Sequence, residues 1–469
     1  MKYQFDYDKF CRTFNVKSDK SIDSLRLTHT QDIYFHLFPY KASGKKQAPV
    51  ITELDEIVSG FFRKVLGLKI GSVKFDDLCK NIIDEMDIED KDIEIFKEMI
   101  QKLFFKDEEF IDTNLGLYPY QTYTNNKSVE RLIDFLIDIF NINQNDRKVI
   151  EQTMDEHVYN VVEKMVIESI HTSKVNLEKT TQTYFPIVID VQEKFRRDFH
   201  FMLETDMTSL EDFSNLFAVY YFYYMTQACV TLDKFCQGYR DKPVHLYYAL
   251  DWEKVSRNRK CCIEGWEIIQ QNINHMFSHA VTLEILNQNK YFDSMLDYIM
   301  LGEYVNQHPE QDVIIANEIK RAEDAYITHV GDYKKFDQIK NTSEDLNTDV
   351  AIRHLYKCVE QQFLNTDRKR ANQFYNEKFI DFCKTRWIKN RRKSGLVLNL
   401  TERDIIFLTK ISIGKKEKIR LIDLYKEYEY RGIFLDNTSK EHLQEFFTKF
   451  NLIDKKSDSG DAQYVKRIL

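Results

Sequence analysis

The chain has 469 residues, more than one ordinary core organises, so roughly two to four structural units are expected. Its hydrophobic content is 43%, with 34 Phe and 27 Tyr against 13 Gly and 6 Pro, which favours long helices over many tight turns. Eight scattered cysteines with no CxxC pair, and a Met1 to Asp6 start without a signal-peptide apolar region, argue against a disulfide-rich secreted scaffold and for a reducing cytoplasm.

In chain order, residues 1–50 read as an irregular N-terminal segment containing Pro39, Gly44 and Pro49. A helical body over 51–330 begins at Thr52, where Leu54, Ile57, Val58, Phe61, Phe62, Val65 and Leu66 form a wide apolar stripe. Further amphipathic helices are expected from Ser128, with Leu132, Phe135, Leu136, Ile139 and Phe140 in phase, and from Asp155, with Val158, Val161, Val162 and Met165 in phase. Pro186 marks Tyr184 to Asp190 as extended, whereas Ser209 to Gln237, Trp252 to Asn287 and Gln311 to Val330 read as helices. Phe213 to Leu232 approaches membrane-span length, but Asn215, Gln227 and the Tyr220 to Tyr224 run make it too polar, so no membrane partner is expected.

A polar linker and a long basic-ended helix are expected over 331–399, the helix running from Asp349 towards Lys393. Lys384, Arg386, Lys389, Arg391, Arg392 and Lys393 fall within ten residues that hold no carboxylate. Residues Lys384 to Leu469 carry 20 basic and 12 acidic side chains; the whole chain is at −8, so the preceding part is at −16. Such a run can neutralise phosphates of double-stranded DNA, or can merely complement a helix C-terminus.

Residues 400–469 carry the signature of a winged helix. Thr401 with Asp404 caps a first helix marked by Ile405, Leu408 and Ile411, and Leu421, Leu424, Tyr425 and Tyr428 mark a second. Beyond Gly432, Thr438 with Glu441 suggests a capping box for a third helix carrying Leu443, Phe446, Phe447 and Phe450. Leu452 to Lys456 and Ala462 to Ile468 then flank a Ser457 to Asp461 loop in hairpin fashion. Lys440, Lys455, Lys456, Lys466 and Arg467 join the six connector residues as candidate DNA contacts. Lys440 and Lys449 are offset by Glu441 and Glu445, which weakens the case for base readout by the third helix.

Catalytic motifs are missing from the sequence. Gly44-Lys45-Lys46 and Gly414-Lys415-Lys416 lack the first Gly and the Ser/Thr of a phosphate-binding loop, and no G-x-G-x-x-G, G-x-S-x-G or H-E-x-x-H occurs. His275 and His279, one turn apart, are the best metal candidate, with Glu284 or a cysteine from elsewhere as a third ligand, but two histidines on a half-buried face are commoner. No catalytic residue, metal ligand set or cofactor is assigned, although dispersed carboxylates could still assemble a two-metal nuclease site. Tyr247, Tyr248, Trp252 and Trp266 beside Arg257, Arg259 and Lys260 could stack bases, or could belong to a tyrosine-rich helical core.

The stretch Leu246-Tyr247-Tyr248-Ala249-Leu250-Asp251-Trp252-Glu253-Lys254-Val255-Ser256, continuing through Arg259, Cys261, Gly265 and Trp266, resembles the DptG (DndG) family of DNA phosphorothioation-dependent restriction proteins. Leu452 to Val465 is similar to the same family. The resemblance implies a non-catalytic adaptor subunit of a bacterial defence complex that restricts unmodified DNA, acting with DptF-like ATPase and DptH-like translocase subunits. It carries over no catalytic residue. Two alternatives stay open: a metal-dependent nuclease subunit, and a helical scaffold whose winged helix binds only protein.

Overall fold

The computed structural model describes residues 3–17, 26–28, 37–39, 54–69, 73–86, 88–106, 109–111, 114–121, 127–170, 173–174, 182–205, 207–291, 295–341, 343–455 and 463–468. The protein is mainly helical. Its axis is the helix Leu210–Leu232, capped by Ser209 and buried on all sides from Phe213 onward. Each large apolar side chain enclosed in this way contributes about 1.5 to 3 kcal/mol. The polar tips that disqualified this segment as a membrane span have partners: Tyr220 donates to Asp198 at 2.7 Å, and Gln227 bridges the backbone N and O of Val244 at 2.8 and 2.9 Å. No helix among the described residues is long and apolar enough to cross a membrane.

The helices Asp55–Leu66, Asp190–Leu203, Trp266–Ile273 and Glu402–Ile413 pack around this axis. One hydrophobic core runs from Tyr3 to Val465, and a smaller second cluster, centred on Leu78, Ile82, Ile100, Phe104 and Val166, sits apart under the helices Phe75–Glu85, Ile93–Phe104 and Val161–Ser169.

A four-stranded sheet lies against the core, in the order Ile388–Asn390, Leu396–Leu400, Leu246–Leu250, Ile433–Leu435. The central strand Leu246–Leu250 is parallel to both its neighbours, and the first two strands form an antiparallel hairpin. Residues 246–250 had no strand signal of their own, because a five-residue apolar run buried on both faces lacks alternation.

Beyond Leu400 come the helices Glu402–Ile413 and Leu421–Tyr430 with strand Lys418–Arg420 between them, then the helix Asn437–Lys449 and strands Ile453–Lys455 and Gln463–Lys466. The last strand pairs antiparallel with both Ile453–Lys455 and Lys418–Arg420. The Thr401–Asp404 capping box is present, with both hydrogen bonds made.

This segment shares its core and a sheet with the body. Strand Ile433–Leu435 adds to Leu246–Leu250, and the fully buried Arg431 forks onto Asp198 of the helix Asp190–Leu203 at 2.6 and 2.8 Å. Gly432 adopts φ +80°, and a Cβ there would fall 2.4 Å from the Tyr223 ring, so this close approach requires glycine.

Several boundaries differ from those expected. The third C-terminal helix is capped by Asp436, which accepts from Ser439 N at 3.0 Å, and not by Thr438. Trp252 to Asn287 is broken into Lys260–Ile263, Trp266–Ile273 and Met276–Leu286; at the first break Gly265 approaches the Cys261 and Tyr247 carbonyls too closely for any Cβ. The helix expected from Asp155 starts only at Val161, since Gln144–Glu156 ends beside Asp155 and an Asn160–Glu163 capping box opens Val161–Ser169, leaving Val158 and Val161 exposed. The long helix from Asp349 is also two, Thr348–Leu364 and Lys369–Arg386, with Asn365 folding back onto Gln361 O at 2.8 Å. Gly44, Pro49, Thr52, Lys456 and the Ser457 to Asp461 loop lie outside the described residues.

Candidate nucleic-acid interface

The basic run is not a solvated helix end. Its helix stops at Arg386, and the remainder forms the hairpin Ile388–Asn390 and Leu396–Leu400, joined by a 3₁₀ turn at Arg392–Ser394. Strand geometry sends alternate side chains to opposite faces, so Lys389 and Arg391 share a face, and that face points at the loop following the central strand. Lys389 Nζ binds the Asp251 carboxylate and its carbonyl, the latter at 3.1 Å. Arg391 is more deeply committed: Nη1 donates to the carbonyls of Asp251 and Glu253 at 3.2 and 3.0 Å, and Nη2 to Leu250 O and Asn399 Oδ1, both at 2.7 Å. Those carbonyls terminate a strand end that would otherwise be short of donors. Arg386 donates to Asn215 at 2.6 Å and to Asp404 at 3.3 Å, with its guanidinium against Trp387, and burial pulls its pKa down. The hydrogen bond from Lys389 holds Asp251 below the usual carboxylate range, with Asn399 adding to the effect.

Arg392 and Lys393 differ from these three because they fall in the turn, where the side chains are exposed and the backbone makes the contacts. The Lys393 carbonyl accepts from Arg257, and Ser394 Oγ donates to Val255 O at 2.8 Å. These contacts bring the loop 251–259 alongside the turn, so exposed Lys254 and Arg257 join exposed Arg392 and Lys393 on one surface. The two carboxylates of that loop are engaged elsewhere, Asp251 with Lys389 and buried Glu253 with Arg259. The quartet therefore presents positive charge with no carboxylate of its own loop or turn left to compensate it. Lys254 carried no signal of its own, since no spacing rule joins residues well over a hundred positions apart.

The other candidates are dispersed. Lys384 is exposed at the helix end, 3.8 Å from Asp381. Lys440 pairs with Glu429 at 3.1 Å over the Tyr425 ring. Lys466 is exposed and reaches Asn451 O at 3.3 Å, and Arg467 is exposed beyond it. Lys455 lies on the strand Ile453–Lys455. On the third helix, the exposed residues include Asn437, Thr438, Glu441, Glu445 and Lys449, a face with two carboxylates and one ammonium.

The aromatic and basic residues near the central strand separate in the same way. Tyr248 and Trp266 are core, Lys260 lies over the Tyr247 ring at 4.7 Å, and Trp252 stacks on Phe446 of the third helix at 4.9 Å. Arg259 clamps that helix to the loop by binding its cap Asp436 at 3.0 Å and Ser439 at 2.7 Å. Burial opposes the charge of Arg259, but Asp436 and Glu253 outweigh it and raise its pKa.

His275 and His279 meet Asp233 rather than Glu284: His275 Nδ1 lies 2.8 Å and His279 Nε2 3.2 Å from the same Asp233 oxygen. Glu284 is buried against Gln288. Burial lowers the pKa of His279, and the hydrogen bond to Asp233 raises that of His275.

Comparison with protein-family models and with curated proteins gives no match for this chain.

Proposed function

We propose that the chain is a non-catalytic, DNA-associated adaptor subunit of a phosphorothioation-dependent restriction complex, working on unmodified double-stranded DNA with DptF-like ATPase and DptH-like translocase subunits. The observation that carries the DNA part is the exposed quartet Lys254, Arg257, Arg392 and Lys393, two on the loop after the central strand and two on the turn of the hairpin anchored to it. Cations on such a support can track phosphates without ordering new backbone. The restriction part rests on the resemblance at Leu246 to Ser256 and at Leu452 to Val465.

The C-terminal order supports a winged-helix reading: helix, strand, helix, strand, helix, strand, strand, with the last strand between Ile453–Lys455 and Lys418–Arg420 and the strand Ile433–Leu435 lent to the four-stranded sheet. Its third helix has its N-terminus tied to Arg259 and an outer face bearing Glu441 and Glu445, so phosphate contact is assigned to the hairpin. That acidic outer face favours a second role, docking a basic protein partner.

Incubating the purified chain with unmodified duplex and magnesium or manganese, with and without the two partners, tests the reading. Binding without cutting by the isolated chain is expected, together with co-purification at low salt. Cutting by the chain alone contradicts the non-catalytic role, and failure to co-purify contradicts the subunit role. Glu441→Lys with Glu445→Lys should weaken co-purification and leave DNA binding in place. Deleting 400–469 would not test this, because it strips the central strand of the neighbour Ile433–Leu435.

A further inference from the structure

Glu323, His354 and Cys358 bring a carboxylate oxygen, an imidazole nitrogen and a thiol sulfur within 4.8 Å of one another. His354 and Cys358 are one turn apart on the helix Thr348–Leu364, and Glu323 comes from the helix Asp312–His329. The two helices run side by side in the same direction: Asp312 accepts from Thr348 N at 2.7 Å near their starts, and Gln362 donates to Asp332 at 3.0 Å near their ends. The return segment 331–347 crosses back over the pair and supplies Ile339 O, which lies 3.1 Å from His354 Nε2.

We propose that Glu323, His354 Nδ1 and Cys358 Sγ form a binding site for one Zn²⁺ ion. Three features support this beyond the mere proximity of the groups. A metal-binding histidine characteristically donates its other ring N–H to a carbonyl or carboxylate, which fixes the tautomer, and Ile339 O stands in that position for His354. The donor set of thiolate, imidazole and carboxylate suits borderline-soft zinc and not magnesium or calcium, which take oxygen ligands. The spacing also fits, since a tetrahedral zinc with bonds of about 2.0 to 2.3 Å holds its ligand atoms roughly 3.3 to 3.8 Å apart. Cys358 Sγ lies 3.8 Å from His354 Nδ1, and Glu323 Oε2, at 2.7 Å, need only swing outward by somewhat under about 1 Å.

Without the ion, Glu323 and His354 are a hydrogen-bonded pair beside an inert thiol, whose pKa is raised by burial and further by Glu323. Binding replaces that hydrogen bond with two metal bonds and releases two protons to solvent, the one held between Glu323 and His354 Nδ1 and that of the Cys358 thiol. The exposed ammonium of Lys320, one turn before Glu323, works against a cation, so affinity below that of a four-ligand structural site is expected. Three protein ligands leave the fourth tetrahedral position to water.

The test uses the full chain, freed of any affinity tag, given Zn²⁺ and exchanged into metal-free buffer. Elemental analysis should find about one zinc per chain, and Co²⁺ in its place should show a thiolate-to-cobalt charge-transfer band in the near ultraviolet. Cys358→Ser should abolish that band with an unchanged far-ultraviolet circular dichroism spectrum, and His354→Gln should cut zinc retention at least about tenfold. His275→Gln, at the other histidine cluster, should leave both readouts unchanged. Wild-type protein that retains no zinc overturns the proposal, and so does a cobalt spectrum without a thiolate band. Zinc that follows His275→Gln and not Cys358→Ser overturns it as well. The wild-type readings do not depend on any variant folding.

Discussion

Arg386, Lys389 and Arg391 stand within seven residues of Arg392 and Lys393, carry the same charge, and do different work. The donors of the first three are taken by the protein itself, terminating strand carbonyls or meeting Asp251, Asn215 and Asp404. The last two ride on the turn, exposed beside Lys254 and Arg257. Charge density along the chain is uniform across this boundary, so the strand-to-turn transition decides which cations hold the fold together and which remain for a partner. A phosphate at Arg391 would have to displace four hydrogen bonds, and one at Arg392 would displace no side-chain partner in a described contact.

The sharpest way to break this contrast is to remove an inward-facing cation. Arg431, the most enclosed of them, should cost about 3 to 5 kcal/mol as Arg431→Ala, because buried Asp198 would lose its buried counter-ion and keep only the partly exposed Arg197. Equilibrium unfolding in urea measures this, and a loss below about 1 kcal/mol would mean that the C-terminal segment is not clamped there. Next in size, Arg391→Gln should cost about 2 to 3 kcal/mol, since the Glu253 carbonyl loses its donor and the Leu250 and Asp251 carbonyls each lose one of two.

A smaller effect depends on pH. Burial alone would raise the Asp436 carboxyl, but hydrogen bonds from Arg259 and Ser439 outweigh it and hold its pKa below the usual range. A depressed folded pKa gives stabilisation that is present above the unfolded value of about 3.9 and lost as the pH falls through the folded one. Asp436→Asn keeps an acceptable helix cap, so the cost at pH 7 should be about 1 kcal/mol, the charge-assisted part alone. The difference between wild type and variant should shrink below about pH 3.9 and vanish once the folded carboxyl protonates. A difference that persists in acid would assign the effect to the cap. Smallest of all, Gln at Lys254, Arg392 or Lys393 should each change stability by less than about 0.5 kcal/mol.

Much of the fold was legible in the sequence. Apolar periodicity located Asp55–Leu66, Lys127–Phe140 and Leu210–Leu232, and Thr401 with Asp404 fixed a helix start to the residue. The misses share a cause, contacts distant in sequence overriding local signals. Leu246–Leu250 becomes a strand because Leu396–Leu400 and Ile433–Leu435 arrive on either side of it. The helix from Trp252 breaks at Gly265, because the Tyr247 carbonyl occupies the space a side chain would need. The basic run was visible as composition, but its division was not. The period-two placement of Lys389 and Arg391 becomes informative only once 388–390 is known to be a strand. Lys254 and Arg257 could not be joined to Arg392 and Lys393 without the fold.

The central claim, that the outward quartet and not the inward cations meets phosphate, is tested most directly by fluorescence anisotropy of duplex binding across a salt series. Each phosphate contact contributes about 0.9 to the slope of log affinity against log salt, so replacing Lys254, Arg257, Arg392 and Lys393 together with Gln should flatten the slope by about 2 to 4. Lys389→Gln, whose partner is Asp251, should leave the slope unchanged within about 0.5 in protein that remains folded. An unchanged slope in the quartet variant, or an equal loss in Lys389→Gln, would contradict the account.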